Sequence, residues 1–158
     1  IHDVEAFKRD PAVRAQIRSA NTIGCFYIES PAMRQLLKKL RCDDYITLVA
    51  ASSIIRPGVA QSGMMKEYIH RFHHPDSFEY LHPVMEELLK ETYGVMVFQE
   101  DVIKVAHYFA GLDLGEADVL RRAMSGKYRS GNTFQQIREK FFAGCRDRGH
   151  PDALSREV

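Results

Sequence analysis

Ser30-Pro31-Ala32-Met33-Arg34-Gln35-Leu36-Leu37-Lys38-Lys39-Leu40 is the stretch on which the fold class turns. The Ser30 hydroxyl can accept from the free N–H groups that open a helix, and Pro31 takes the first helical position, where a missing N–H costs nothing. Met33, Leu36, Leu37 and Leu40 then recur at three and four residues, as one core-facing side of an α-helix requires. Just downstream, Asp43 or Asp44 can cap a second helix carrying Ile46, Val49, Ala50 and Ile54. That helix must stop by Arg56, because Pro57 disfavours helical backbone in the residue before it, so Arg56-Pro57-Gly58 reads as a turn.

The same pattern continues toward the C-terminus. Met64 to Phe72 has helical spacing, and the stretch from His73 to Tyr80, with Pro75, Asp76 and Ser77, reads as loop. Pro83 opens a short amphipathic helix through Val84, Leu88 and Leu89, with Gly94 placed to stop it, and Val95 to Ala110 reads as a mostly buried helix closed by Gly111. Asp113-Leu114-Gly115-Glu116 has the form of a capping box before Ala117, Leu120 and Met124, and Thr133 with Gln136 repeats it before Phe134, Ile137, Phe141 and Cys145. Upstream, only Thr22 to Ile28 has the β-branched and aromatic content of a strand, and Gly24 weakens it. The sequence thus predicts a mainly α fold with at most one or two short strands, a single compact helical domain over residues 1–158 without internal repeat or linker.

Composition narrows the function classes. The 158 residues are 45% hydrophobic and 27% charged, which excludes a disordered tail, a collagen-like repeat and a disulfide scaffold. A net charge of +1 supplies no global field for nucleic acid, so anion binding must come from local clusters. Cys25, Cys42 and Cys145 are odd in number and widely spaced, the pattern of reduced thiols in a cytoplasmic protein rather than of a disulfide or metal site. No apolar run is long enough to cross a bilayer, and Ile1-His2-Asp3 has neither the basic nor the apolar part of a secretion signal. The start at Ile1 and the end at Glu157-Val158 lead us to expect a segment of a longer protein.

The cluster with most chemical potential is Arg121-Arg122, followed by Ser125-Gly126-Lys127 and Arg129, with Lys104 and Lys140 nearby in sequence. Two guanidinium forks and an ammonium suit a polyphosphate or a nucleic-acid backbone. Asp118, three and four residues before the arginines, gives them the spacing of a solvated ion-pair face at a helix C-terminus, the reading that spacing alone favours. His70, His73 and His74, with His82, have spacing that neutral imidazoles can use for zinc, but no cysteine pair or HExxH accompanies them, so a polar face is expected and no metal ligand is assigned. His107, within an apolar helix, reads as a hydrogen-bonded or partly exposed histidine rather than a ligand. The acidic pairs Asp43-Asp44, Glu86-Glu87 and Glu100-Asp101 point adjacent carboxylates to different sides, unlike a two-metal centre. No phosphate-loop, nucleophile-elbow or dinucleotide motif occurs, and no cysteine has an identifiable base. No catalytic residue is assigned.

Four ordered blocks carry a resemblance: Thr22-Ile-Gly-Cys-Phe-Tyr-Ile-Glu-Ser-Pro-Ala-Met-Arg34, Arg56-Pro-Gly58, Glu91-Thr-Tyr-Gly-Val-Met-Val-Phe-Gln-Glu100 and Leu114-Gly-Glu-Ala-Asp-Val-Leu-Arg-Arg-Ala-Met124. Over about residues 20–145 the chain resembles the C-family bacterial replicative DNA polymerases, the polymerase III alpha subunits. The resemblance implies the fingers, a largely helical subdomain that closes over the incoming deoxynucleoside triphosphate and meets templating DNA. It implies that Arg121 and Arg122 contact the triphosphate and that Lys127 assists, although Ser125-Gly126 precedes Lys127 where the family usually has Gly-Lys alone. Arg56 matches the family's Arg-Pro-Gly turn, for which a structural role is expected.

The family's metal-binding aspartates lie in the palm, and no segment here matches them; palm and thumb are absent. The resemblance therefore implies a DNA-directed DNA polymerase acting in replication, a nucleotidyltransferase whose Mg²⁺ ligands lie outside this segment, which alone would be inactive. Implied partners are primer-template DNA, deoxynucleoside triphosphates, a sliding clamp and other replisome subunits, in the cytoplasm and away from membrane. The rival reading is a free-standing helical module binding nucleic acid or phosphate.

Overall fold

The computed structural model describes residues 2–55, 63–124 and 132–158. Among them all regular structure is helical, and they fall into two compact units, Ile1–Phe78 with Glu91–Val97, and Glu79–Lys90 with Phe98–Val158.

The first unit holds α1 (Val4–Arg9), α2 (Pro11–Arg18), α3 (Pro31–Leu40), α4 (Tyr45–Ile54) and α5 (Met64–His73). The α3 helix forms as the sequence predicts. Ser30 Oγ accepts from the Met33 N–H at 3.2 Å, Pro31 follows, and Met33, Leu36, Leu37 and Leu40 are all buried. Of the two candidate caps of α4, Asp44 serves, its Oδ1 accepting from the Thr47 N–H at 2.9 Å. The buried face of α4 is Thr47, Ala50, Ala51 and Ile54, so Ile46 is exposed where a core position was expected. Asp43 instead takes Arg18 as an ion pair, and its carbonyl accepts from Arg14 Nε at 2.8 Å, tying α2 to the α3–α4 connection. Tyr68 of α5 is buried, with Tyr93 meeting it edge-on at 5.9 Å between ring centroids. Arg56-Pro57-Gly58 lies outside the described residues.

Thr22 to Ile28 is a closed loop and not a strand. Gly24 and Tyr27 both have left-handed backbone, at φ of 81° and 71°, which no strand permits. The buried Thr22 spends its hydroxyl within the loop, donating to the Ile28 carbonyl at 2.6 Å, and the Gly24 N–H donates to Glu29 Oε2 at 3.0 Å. Side-chain propensity thus yields to local hydrogen bonds around a glycine that accepts positive φ at little cost.

The second unit holds α6 (Pro83–Leu89), α7 (Gln99–Tyr108), α8 (Leu114–Met124), α9 (Asn132–Asp147) and α10 (Asp152–Glu157). A single 3₁₀ turn, Lys90–Thr92, follows α6 before Gly94 turns the chain at φ 75°. The expected helix from Val95 begins only at Gln99. Residues 95–98 are irregular, with Val95 and Val97 buried, and the Asp101 carboxylate starts α7 by accepting from the Phe98 N–H at 3.0 Å. Gly111 closes that helix at φ 76°, where an L side chain would be strained. Val105, Ala106, Phe109, Ala110, Ala117, Ala123, Ile137 and Cys145 form the core of this unit, with α8 packed on both α7 and α9. Thr133 falls inside α9 and not at its cap, and Phe134 and Met124, expected to face inward, are exposed.

Candidate functional site

The arginine pair owes its geometry to the start of its helix. Asp113 Oδ1 accepts from the Glu116 N–H at 2.8 Å, and Glu116 Oε2 accepts from the Asp113 N–H at 3.2 Å, which is the reciprocal box that the sequence announces. With the register so fixed, Asp118, Arg121 and Arg122 share one face of α8, three and four residues apart. Arg121 donates to Asp118 Oδ1 from Nε at 2.9 Å and from Nη2 at 2.7 Å, while Arg122 Nη2 stands 2.7 Å from Asp118 Oδ2. One carboxylate thus holds both guanidinium groups in the last turn of α8, where the negative end of the helix dipole also favours cations. The third anchor comes from α7, whose first residue, Gln99, accepts from Arg121 Nη1 at 2.9 Å through Oε1.

Electrostatics follow from this arrangement. The hydrogen bond from Arg121 lowers the Asp118 carboxyl below its ordinary value, with the Arg122 and Arg121 charges adding to it and desolvation opposing. A lowered carboxyl contributes stability above the ordinary carboxylate range and loses it as pH falls through the lowered value. The pair is therefore intact at neutral pH, and both arginines are charged. Arg121 carries five N–H groups, of which three are engaged among the described residues, so within them Nη1 and Nη2 each keep a second hydrogen for a further acceptor. Side-chain exposures of 24% for Arg121 and 43% for Arg122 leave both within reach of a ligand.

The other predicted residues are distributed differently. Ser125, Gly126, Lys127 and Arg129 lie outside the described residues. Lys104 pairs with Asp101 at 3.8 Å, and Lys140 with Glu116, which draws α9 to the first turn of α8. His73 Nε2 donates to the Lys39 carbonyl at 2.6 Å, the His70 ring nitrogen is 3.4 Å from Ser77 Oγ, and His107 Nδ1 donates to the Leu112 carbonyl at 2.7 Å. His82 caps α6, its Nδ1 accepting from the Val84 N–H at 3.2 Å. Among the described residues no group of three or more histidine, cysteine or carboxylate side chains is arranged to hold a metal, and none of their helices is long and apolar enough to cross a membrane.

Gln99 is the site residue that sequence reasoning missed. It stands within the Glu91–Glu100 block, but 22 residues separate it from Arg121, and no helical or strand period joins positions so far apart. Only the packing of α7 against α8 brings them together.

Comparison with known proteins adds what the geometry leaves open. Residues 3–149 match the family model described as the bacterial DNA polymerase III alpha subunit finger domain. The chain is 40% identical over 149 residues to the DNA polymerase III subunit alpha of Aquifex aeolicus, and 38% identical over 149 residues to that of Staphylococcus aureus, in each case across 94% of its own length. It spans only 13% and 14% of the length of those two relatives.

Proposed function

We propose, for a chain that belongs to the bacterial DNA polymerase III alpha subunit finger domain family, that it contacts the incoming deoxynucleoside triphosphate and the templating DNA of a replicative polymerase. The observation that carries this reading is the bracket around Arg121 and Arg122, two adjacent guanidinium forks held by Asp118, with Gln99 a further acceptor for Arg121. Phosphoryl transfer depends on positioning and on neutralising charge at the phosphates, and forked donors fixed in advance supply both. Arg121 and Arg122 are the nucleotide-binding residues in this reading, and Lys127 is a third contact. Both compact units belong to the fingers, since the matched residues run through each of them.

The parent chain is read as a DNA-directed DNA polymerase that joins the primer 3′-hydroxyl to the α-phosphate with loss of pyrophosphate. Its partners are primer-template DNA, a sliding clamp and other replisome subunits, in the cytoplasm. Mg²⁺, when bound in the parent, would offset phosphate charge. Among the described residues Asp44 and Asp101 cap helices, Asp43 and Asp118 are taken by arginines, and no group of three or more carboxylate, histidine or cysteine side chains is arranged to hold it. The metal is therefore assigned to residues elsewhere in the parent, and this chain alone is expected to be inactive.

Single-nucleotide incorporation by the full-length parent carrying Arg121→Ala and Arg122→Ala tests the reading. A raised nucleotide KM or lowered kcat with DNA affinity unchanged supports it. Unchanged nucleotide kinetics would show the arginines to be a surface ion-pair face.

A further inference from the structure

Arg121 is gripped from two helices, and the two grips differ in kind. Asp118 is a charged acceptor four residues or fewer from both arginines, so every movement of the α8 backbone carries it along. Gln99 is a neutral acceptor on the first turn of α7, and its Oε1 at 2.9 Å from Nη1 references Arg121 to a second rigid element. A guanidinium fixed only by its own helix can still swing about its long side chain. One fixed at Nη1 and at the Nε/Nη2 edge has both ends of its plane defined. Gln99 adds no competing negative charge where a phosphate is to be received, as a second carboxylate would.

Neither of the two acidic residues that follow Gln99 competes for this role. Glu100 is exposed, and Asp101 is buried and occupied in capping Phe98. Gln99 is itself exposed, so its amide contributes little to the core and its contact with Arg121 is its defining interaction.

We infer that Gln99 is a positioning residue for nucleotide binding, acting through Arg121 by holding the guanidinium plane across α7 and α8. The inference rests on the proposed function of the arginines. It assigns Gln99 no contact with the substrate.

The test is a double-mutant cycle in the full-length parent polymerase, with Gln99→Ala, Arg121→Ala and the double variant compared by single-nucleotide incorporation, DNA affinity and thermal midpoint. Gln99→Ala is expected to raise nucleotide KM about three- to tenfold, the effect of one lost hydrogen bond of ordinary strength, with kcat, DNA affinity and midpoint near the parent values. In the Arg121→Ala background the same change should have no further effect, since the group it positions is gone. If Arg121→Ala raises KM while Gln99→Ala does not, or if the two effects multiply, the positioning role of Gln99 is overturned and the arginine assignment stands. If Arg121→Ala itself leaves nucleotide kinetics unchanged, the assignment of the arginines fails and this inference falls with it.

Discussion

Gly144 of α9 faces the carbonyl of Ala110 so closely that a Cβ built on it would stand 1.9 Å from the oxygen. Glycine inside a helix ordinarily costs about 1 kcal/mol relative to alanine, so a glycine 13 residues into a 16-residue helix needs a reason. Here the obstacle is backbone, which cannot rotate aside as a side chain can. We expect Gly144→Ala to destabilise the second unit by about 1–3 kcal/mol despite its better helix propensity, because α9 must retreat from the end of α7. A thermal midpoint equal to or above that of the parent sequence would show that the two backbones have room to separate.

At the end of α3 the opposite substitution should help. Arg41 adopts left-handed backbone at φ 46°, and the N–H groups of Arg41 and Cys42 close the helix on the Lys38 and Leu37 carbonyls at 3.2 and 3.1 Å. That closure is the usual place for glycine, and a residue with a Cβ is strained in it. No hydrogen bond or ion pair of the Arg41 side chain offsets the strain among the described residues. Arg41→Gly is expected to raise the denaturation midpoint, with a gain of about 1 kcal/mol. A loss of stability would place the larger effect in the added freedom of the unfolded chain.

How much of this was legible in the sequence follows from the range of each interaction. The Ser30 cap, the Asp113–Glu116 box and the Asp118 pairing with both arginines act over three or four residues, and the sequence states them directly. Thr22 to Ile28 misleads because its residue types favour a strand, while Thr22 and Glu29 fold the backbone on itself around Gly24. The irregular 95–98 stretch misleads because buried valines look alike in a helix and in extended backbone. Gln99 was hidden because its partner arrives from another helix.

The thiols divide by burial, and labelling reports it. Cys42 and Cys145 are wholly buried, whereas Cys25 lies partly exposed in the 22–28 loop. Desolvation, with the Asp44 charge adding, pushes the Cys42 thiol up to about 11, and burial also raises Cys145. Since the thiolate is the nucleophile, iodoacetamide at pH 8 should modify Cys25 first and the other two only after unfolding. A raised thiol contributes stability below its ordinary value and loses it as pH rises toward the raised one, so the first unit should weaken between about pH 9 and 11. Burial pushes the Tyr68 hydroxyl up as well, which extends the loss to higher pH. Mass spectrometry after brief labelling, and unfolding curves across that pH range, check both. Equal labelling of all three cysteines in the native chain would contradict the packing.

Asp118 does two things to the arginines, and replacing its charge separates them. As an acceptor it orients both forks at 2.7 Å, and as an anion it competes with any phosphate for them. Asp118→Asn keeps one oxygen for Arg121, which Gln99 also holds, gives up the acceptor of Arg122, and removes the competing charge. In the full-length parent we expect nucleotide KM to fall about two- to fivefold, the scale of one exposed ion pair, with a steeper dependence on salt. Acid should act in the same direction only below the lowered carboxyl value of Asp118, well under neutral pH, so the variant rather than pH is the practical probe. A rise in KM would mean that Asp118 serves the arginines chiefly by orienting them, and that its charge does not compete with the substrate.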